Sequence, residues 1–258
     1  MDDRPPPLDD DALRAALADG RAIEGADLSA VDWEDLPAEE AIFAGCLVES
    51  ATLRASRLAG ARFRRCRFLR CRFAHAALRD AAFEECVLTG PGAAGTVFAF
   101  SELRDARFLR SDLSFCVFEQ AGLHNVEMED CNLRGARFDR AEFGHAFGRK
   151  VVQIRAAFRR CNLELADLSG VRLAGATLTA CKLREADLTG TDLTDADLTG
   201  SDLVQAVLAD AKLTGADLRG AEIGDLNLSA LADFRGLKIG QGQQHLLLAA
   251  LGVDVHPD

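Results

Sequence analysis

Residues 186–201 read ADLTGTDLTDADLTGS, and their leucines, Leu188, Leu193 and Leu198, recur every five residues. Side chains on one face of a helix recur at about 3.6 residues and those on one face of a strand at 2, so this period belongs to neither element. A fixed period of this kind marks a repeat architecture, in which stacked units bury a shared core. Stepping by five from Leu28 to Leu228 meets 41 positions, and Leu or Phe occupies 33 of them. Trp33, Ala38, Val48, Ala93, Met128, Gly148, Gln153 and Ile223 fill the others. Two positions before each centre stands a small residue, Ala, Cys, Ser, Thr or Val in nearly every unit. The position just before the centre is often Asp, Asn or Arg. Each pentapeptide thus turns two side chains inward and keeps three outside or at the turn.

The eight cysteines, at 46, 66, 71, 86, 116, 131, 161 and 181, share one place in this period with Ala26, Ala61, Ala136, Ser111, Ser201 and Thr191. Cysteine is therefore used as a small core side chain. Cys46, Cys66 and Cys86 are expected to stack, as are Cys161 and Cys181. No CxxC or CxxH pair carries tetrahedral ligand spacing, and the five histidines are scattered. Phosphate-binding, dinucleotide and GxSxG fingerprints are absent. No catalytic residue, cofactor or metal site is expected, and the protein reads as a non-enzyme.

The units Cys131-Asn132-Leu133, Ala166-Asp167-Leu168, Ala186-Asp187-Leu188 and Ala216-Asp217-Leu218 resemble the A(D/N)LXX motif of the pentapeptide-repeat proteins. The resemblance covers about four fifths of the chain and implies an all-β solenoid, a right-handed quadrilateral β-helix with one pentapeptide per wall. Four pentapeptides per coil place residues i and i+20 on top of one another, and 41 units would make about ten coils. Phe98, Phe118, Phe138 and Phe158, each one coil apart, are then expected to form one core ladder, and Phe43, Phe63 and Phe83 another.

Three stretches depart from the pattern without shifting it. Glu34–Ile42 places Pro37 and Ala38 where a regular unit belongs, and Gly144–Ala157 has Gly148 and Gln153 at centres. Either is an extruded loop of a multiple of five residues or a distorted coil; the phenylalanine ladder through Phe158 favours distortion at the second. Gly90-Pro91-Gly92 reads as a reshaped corner.

Residues 1–22 lie outside the repeat. Leu8, three aspartates from Asp9 to Asp11, Leu13, Leu17 and Gly20 predict a short helix with Asp9 as N-cap, either a lid on the first coil or an acidic arm. The solenoid spans 23–232, with the repeat failing after Leu228. A C-terminal module, 233–258, carries a helical cluster of Leu246, Leu247, Leu248 and Leu251 followed by Val253 and Val255. One short helix cannot hide that much leucine against a coil end, so these six residues are expected to form a homodimer interface.

The formal net charge is −11, which argues against direct nucleic-acid binding. The chain opens on an acidic stretch with no apolar signal segment, and no run is long and apolar enough for a membrane span, so a cytoplasmic protein is expected. Charge is uneven: residues 44–80 carry nine arginines, Arg54, Arg57, Arg62, Arg64, Arg65, Arg67, Arg70, Arg72 and Arg79, against two acids. Arg64 and Glu84 stand one coil's length apart, as do Arg65 and Glu85, which predicts ion pairs between coils. In the C-terminal half Asp167, Asp187, Asp192, Asp197, Asp202, Asp217 and Glu222 form a candidate acidic surface. The same aspartates have a local use, since a short carboxylate before the centre accepts a hydrogen bond from the turn.

Within the family, the Qnr, MfpA and AlbG group is similar in being acidic β-helical rods that dimerise through a C-terminal helix. Residues 236–258 resemble the end module of that group. The resemblance implies binding to DNA gyrase or topoisomerase IV and protection from a poison, with the rod mimicking DNA and Phe147, Arg149, Lys150, Gln153 and Arg155 as a target-contacting loop. A general protein-interaction scaffold with no topoisomerase role is the alternative.

Overall fold

The computed structural model describes residues 4–144, 146–147, 150–151, 155–224 and 226–253. The chain winds as a solenoid with four walls. On the first wall Ile23, Phe43, Phe63, Phe83, Phe108, Met128, Phe158 and Leu178 lie in register in an eight-stranded parallel sheet. The second follows Asp27, Leu47, Arg67, Val87, Asp112, Asn132, Asn162, Lys182, Asp202 and Glu222. The third passes through Leu53, Phe73, Phe98 and Phe118 and on through Arg137, Asp167, Asp187 and Val207. The fourth carries Arg57, Ala77, Glu102, Gly122 and Glu142, then Arg172, Asp192, Lys212 and Asp233.

Hydrogen bonds between successive coils hold this register. In the quoted stretch the Leu188 N–H donates to the Val207 carbonyl at 2.8 Å, and the Asp187 N–H donates to the Ala166 carbonyl at 2.9 Å. Most walls end in a residue with positive φ, two places after the centre. Gly190 and Gly200 take it freely at 65° and 68°, whereas Asp195 takes it at 55°. The central leucines Leu188, Leu193 and Leu198 are fully buried, and the small residues two places earlier close the corners.

Phenylalanine fills the upper coils. Phe63 stacks on Phe83 at 4.8 Å, Phe83 on Phe108 at 4.8 Å, Phe98 on Phe118 at 5.1 Å and Phe118 on Phe138 at 4.9 Å. All eight cysteines are buried free thiols, as expected of small core residues. Burial pushes the Cys71 thiol up to about 11.

Two of the three irregular stretches differ from the sequence reading. Glu34–Ile42 stays in the coil, with Pro37 bridged to Arg57 and Ala38 buried. At Gly90-Pro91-Gly92 one pentapeptide leaves the wall, because Phe83 pairs with Phe108 where an unbroken coil would bring Leu103. It forms a small antiparallel hairpin in which Gly90 faces Ala94 and Thr89 faces Gly95, rather than a reshaped corner. The second insertion is a full extrusion and not a distorted coil: Met128 pairs with Phe158 where an unbroken coil would bring Gly148, so two pentapeptides leave. Phe158 therefore sits on the first wall and meets Phe138 edge-on at 87°, outside the ladder expected to contain it. The core ladder is Phe73, Phe98, Phe118 and Phe138. Three pentapeptides spent in these two hairpins leave fewer coils than the ten expected.

The repeat also outlasts Leu228. One extra residue is taken up near the short 3₁₀ turn Leu228–Ala230, and the pairing shifts by one, so that Lys212 bridges Asp233 and Asp217 bridges Lys238. At the other end helix α1, Asp10–Ala18, caps the first coil, with the Asp9 carboxylate accepting from the Ala12 N–H at 2.8 Å and Leu13 fully buried.

Phe118 is fully buried between two stacked rings. Phe118→Ala is expected to lower unfolding free energy by about 3–5 kcal/mol, because the flanking walls are tied into the ladder and cannot collapse into the void. Chemical denaturation followed by far-UV circular dichroism reads the loss; a change below about 1 kcal/mol would show that the ladder is not a packed core.

Candidate interaction surface

The core is filled by its own side chains, so recognition falls to the walls, the hairpins and the ends. Among the described residues no group of three His, Cys, Asp or Glu side chains is arranged to hold a metal ion. No described helix is long and apolar enough to cross a membrane.

The aspartates before the centres are half-buried because the turn uses them. Asp187 Oδ1 accepts the Thr189 N–H at 2.9 Å, Asp192 the Thr194 N–H at 3.1 Å, Asp197 the Thr199 N–H at 3.0 Å and Asp202 the Val204 N–H at 3.0 Å. Asp167 and Asp217 do the same with Ser169 and Arg219. Asp167 stacks over Asp187, Asp197 over Asp217, and Asp202 over Glu222. These pairs fall on three different walls and Asp192 on the remaining one, so the acids ring the lower coils as a collar. Lys212 stands between Asp192 and Asp233 on the fourth wall, and Arg184 pairs with Asp202 at 2.9 Å. The Arg219 guanidinium, hydrogen-bonded to Asp217, holds that carboxyl below its ordinary range.

The arginine belt is largely neutralised. Arg64 meets Glu84 at 3.7 Å and Arg65 meets Glu85 at 2.9 Å, the two pairs the spacing predicts. Arg54, Arg57, Arg70 and Arg72 also reach carboxylates, of Glu34, Glu39, Glu49 and Glu119. On the first wall the pairing continues downward. Arg110 bonds Glu84 at 2.7 Å, Arg107 meets Glu127 at 3.3 Å, and Arg160 clasps Glu129 and Asp130. This wall is banded positive, negative, positive, negative, positive; each exposed pair contributes little alone.

The larger hairpin pairs Ala146 with Val151 and Phe147 with Lys150. Arg155 is exposed where the chain re-enters the coil; Arg149 and Gln153 lie outside the described residues. The smaller hairpin was not singled out as a contact site, although Ala93 at a centre beside Gly-Pro-Gly was its signal. It emerges between the second and third walls, the larger one between the fourth and first, at the opposite corner. Gly95 lies so close to the Phe115 carbonyl that a Cβ would overlap it.

At the C-terminal end α2, Gln244–Ala250, splits the leucine cluster. Leu246 and Leu247 lean on the core, whereas Leu248, Leu251 and Val253 are 37%, 55% and 47% exposed. Val255 lies outside the described residues. Gln243, which sequence reasoning passed over, plugs the open coil: its Nε2 donates to the Leu218 and Ala221 carbonyls at 2.8 and 2.7 Å, and its Oε1 accepts the Gly240 N–H at 2.6 Å.

Two solved forms of QnrB1, a plasmid-mediated fluoroquinolone resistance protein, share this architecture. A trypsin-treated variant is 26% identical at a TM-score of 0.75, over 82% of this chain and 99% of that one. The full-length protein is 26% identical at a TM-score of 0.71, over 80% of this chain and all of that one. No curated protein sequence matches. The model of a pentapeptide repeat region matches residues 61–138, and that of pentapeptide repeats in eight copies matches 154–190 and 186–229. With more than half of its length matched in this way and four walls built from the same five-residue unit, the chain belongs to the pentapeptide-repeat family.

Proposed function

We propose that the protein binds DNA gyrase or topoisomerase IV as a homodimeric, non-catalytic rod and protects it from a poison. The similarity to QnrB1, running almost end to end along that protein at a TM-score of 0.75, carries the reading. A partner of that kind works on DNA in the cytoplasm.

The exposed side of α2 and the residues that follow it supply the dimer contact through Leu248, Leu251 and Val253. The acidic collar occupies the coils beside α2, so dimerisation through the helix brings two collars together at the centre of a double-length rod. That central acidic band, rather than a stripe along the whole rod, mimics the phosphates of DNA on a basic saddle. Phe147, Lys150 and Arg155, with Arg149 and Gln153, are the side chains proposed to reach the enzyme from the larger hairpin.

Two measurements test this. Gyrase supercoiling in the presence of a fluoroquinolone should recover as protein is added; no rescue and no inhibition at micromolar protein overturns the proposal, and capture of an unrelated partner in its place supports the scaffold alternative. Dimerisation is tested by light scattering. Removing the whole C-terminal segment would take away the Gln243 plug, so Leu248→Glu with Leu251→Glu is the better variant. It should halve the mass at unchanged far-UV dichroism, and a full-length chain that is already monomeric removes the doubled collar.

A further inference from the structure

Glu102, Gly122 and Glu142 stand in register on successive coils of the fourth wall, each just before its centre. Gly122 is the only glycine at that place in any wall. The backbone does not require it. Its φ lies outside the left-handed region, its N–H donates to the Ser101 carbonyl at 3.0 Å, and a Cβ there would meet only that carbonyl, at 4.0 Å. Ala77, Arg172, Asp192 and Lys212 all occupy the same place on this wall.

The missing side chain leaves a cleft of about 210 Å³. Glu102 and Glu142 line it on either side of Gly122, on strands about 9.6 Å apart. Arg79, Arg104 and His124 line the far side. Both arginines are engaged elsewhere, Arg79 with Asp80 at 3.8 Å and Arg104 with Asp105 at 3.1 Å, at the next corner. Among the described residues no cation comes within ion-pair distance of Glu102 or Glu142. On the first wall, by contrast, Glu84 and Glu129 meet arginines of neighbouring coils. The fourth wall thus holds two uncompensated carboxylates around a gap where an alternating wall would carry a cation.

We propose that this gap receives an arginine side chain of the partner protein, its guanidinium lying over Gly122 between the Glu102 and Glu142 carboxylates. The inference rests on the reading that the partner is a topoisomerase with a basic DNA-binding saddle. A guanidinium suits the gap better than an ammonium, because its planar fork donates to two carboxylates at once. Arg79 and Arg104, each neutralised by its corner aspartate, do not oppose its entry. Gly144, at the edge of the cleft, precedes the larger hairpin, so a surface that meets the hairpin also lies against the cleft. Docking there removes water from the carboxylates, which makes the loss of either partner of the charge pair costly.

Affinity of the full-length protein for DNA gyrase, read by surface plasmon resonance, tests this. The Glu102→Gln, Glu142→Gln double variant should bind at least tenfold more weakly at unchanged circular dichroism. Gly122→Arg, which fills the gap from within, should do the same. Glu49→Gln with Glu164→Gln removes two charges from the second wall and should stay within threefold of the native affinity. Native-like binding by either cleft variant, or an equal loss in the second-wall variant, overturns the inference and leaves the topoisomerase reading standing. Absence of binding by the native protein overturns both.

Discussion

The structure depends on backbone hydrogen bonding between consecutive coils, and that bonding is possible only if the chain turns a corner every five residues. The turn demands a left-handed residue two places after each centre. Among the described residues 24 non-glycine side chains adopt that conformation at this place, with φ between 48° and 61°. Each costs roughly 1–2 kcal/mol relative to an ordinary conformation. Arg65, Glu85 and Arg110 on the first wall accept that cost because the same geometry aligns their neighbours' N–H and C=O groups with the coils above and below. It also leaves a central leucine and a corner residue nowhere to go but inward. The core is thus a consequence of the corner, and its occupants need only be apolar and of suitable volume. Trp33 and Met128 serve as centres as well as leucine does, and both are buried.

A fold set by a period is legible wherever the period carries information, and illegible where the period hides it. The central leucines, the corner cysteines and the inter-coil pairs Arg64–Glu84 and Arg65–Glu85 follow from counting by pentapeptides and by coils. Insertions of whole pentapeptides preserve that count, so Phe158 kept its place in the arithmetic while the chain moved it to another wall. Only the identity of the centres, Ala93, Gly148 and Gln153, gave the hairpins away. The single extra residue before Asp233 had the opposite effect: it broke the count, and the last partial coil looked like the end of the repeat. Gln243 was illegible for a different reason. Its plug is made with carbonyls of Leu218 and Ala221, more than a coil's length earlier in the chain, and no local pattern marks it.

Surface charge obeys the same geometry. Outward residues of neighbouring coils lie one strand spacing apart, so like charges in register repel and opposite charges attract. The first wall respects this: arginines at 62, 64 and 65 face Glu84 and Glu85, and these face Arg107 and Arg110. Below them come Glu127, Glu129 and Asp130, then Arg159 and Arg160. A wall so arranged spends its charge internally and projects little field.

Three registers in the lower coils break that rule, although Arg172 over Asp192 and Lys182 over Asp202 keep it, and the turn does not explain why. Asp167 over Asp187 and Asp197 over Asp217 place carboxylates in register, where they repel. The turn requires only a side-chain oxygen to accept the N–H two residues on, and asparagine supplies it without charge: Asn162 Oδ1 accepts from Glu164 at 3.1 Å and Asn132 Oδ1 from Arg134 at 3.3 Å. Between the two asparagines an amide donates across the coils at 3.3 Å, so the neutral ladder gains a bond where the acidic one gains repulsion. Where two carboxylates of the collar stand in register, as at Asp167 and Asp187, the negative charge is therefore surplus to the turn. Unlike the charge of the banded first wall, it is not fully spent between coils, and it lies in the coils beside the exposed Leu248 and Leu251.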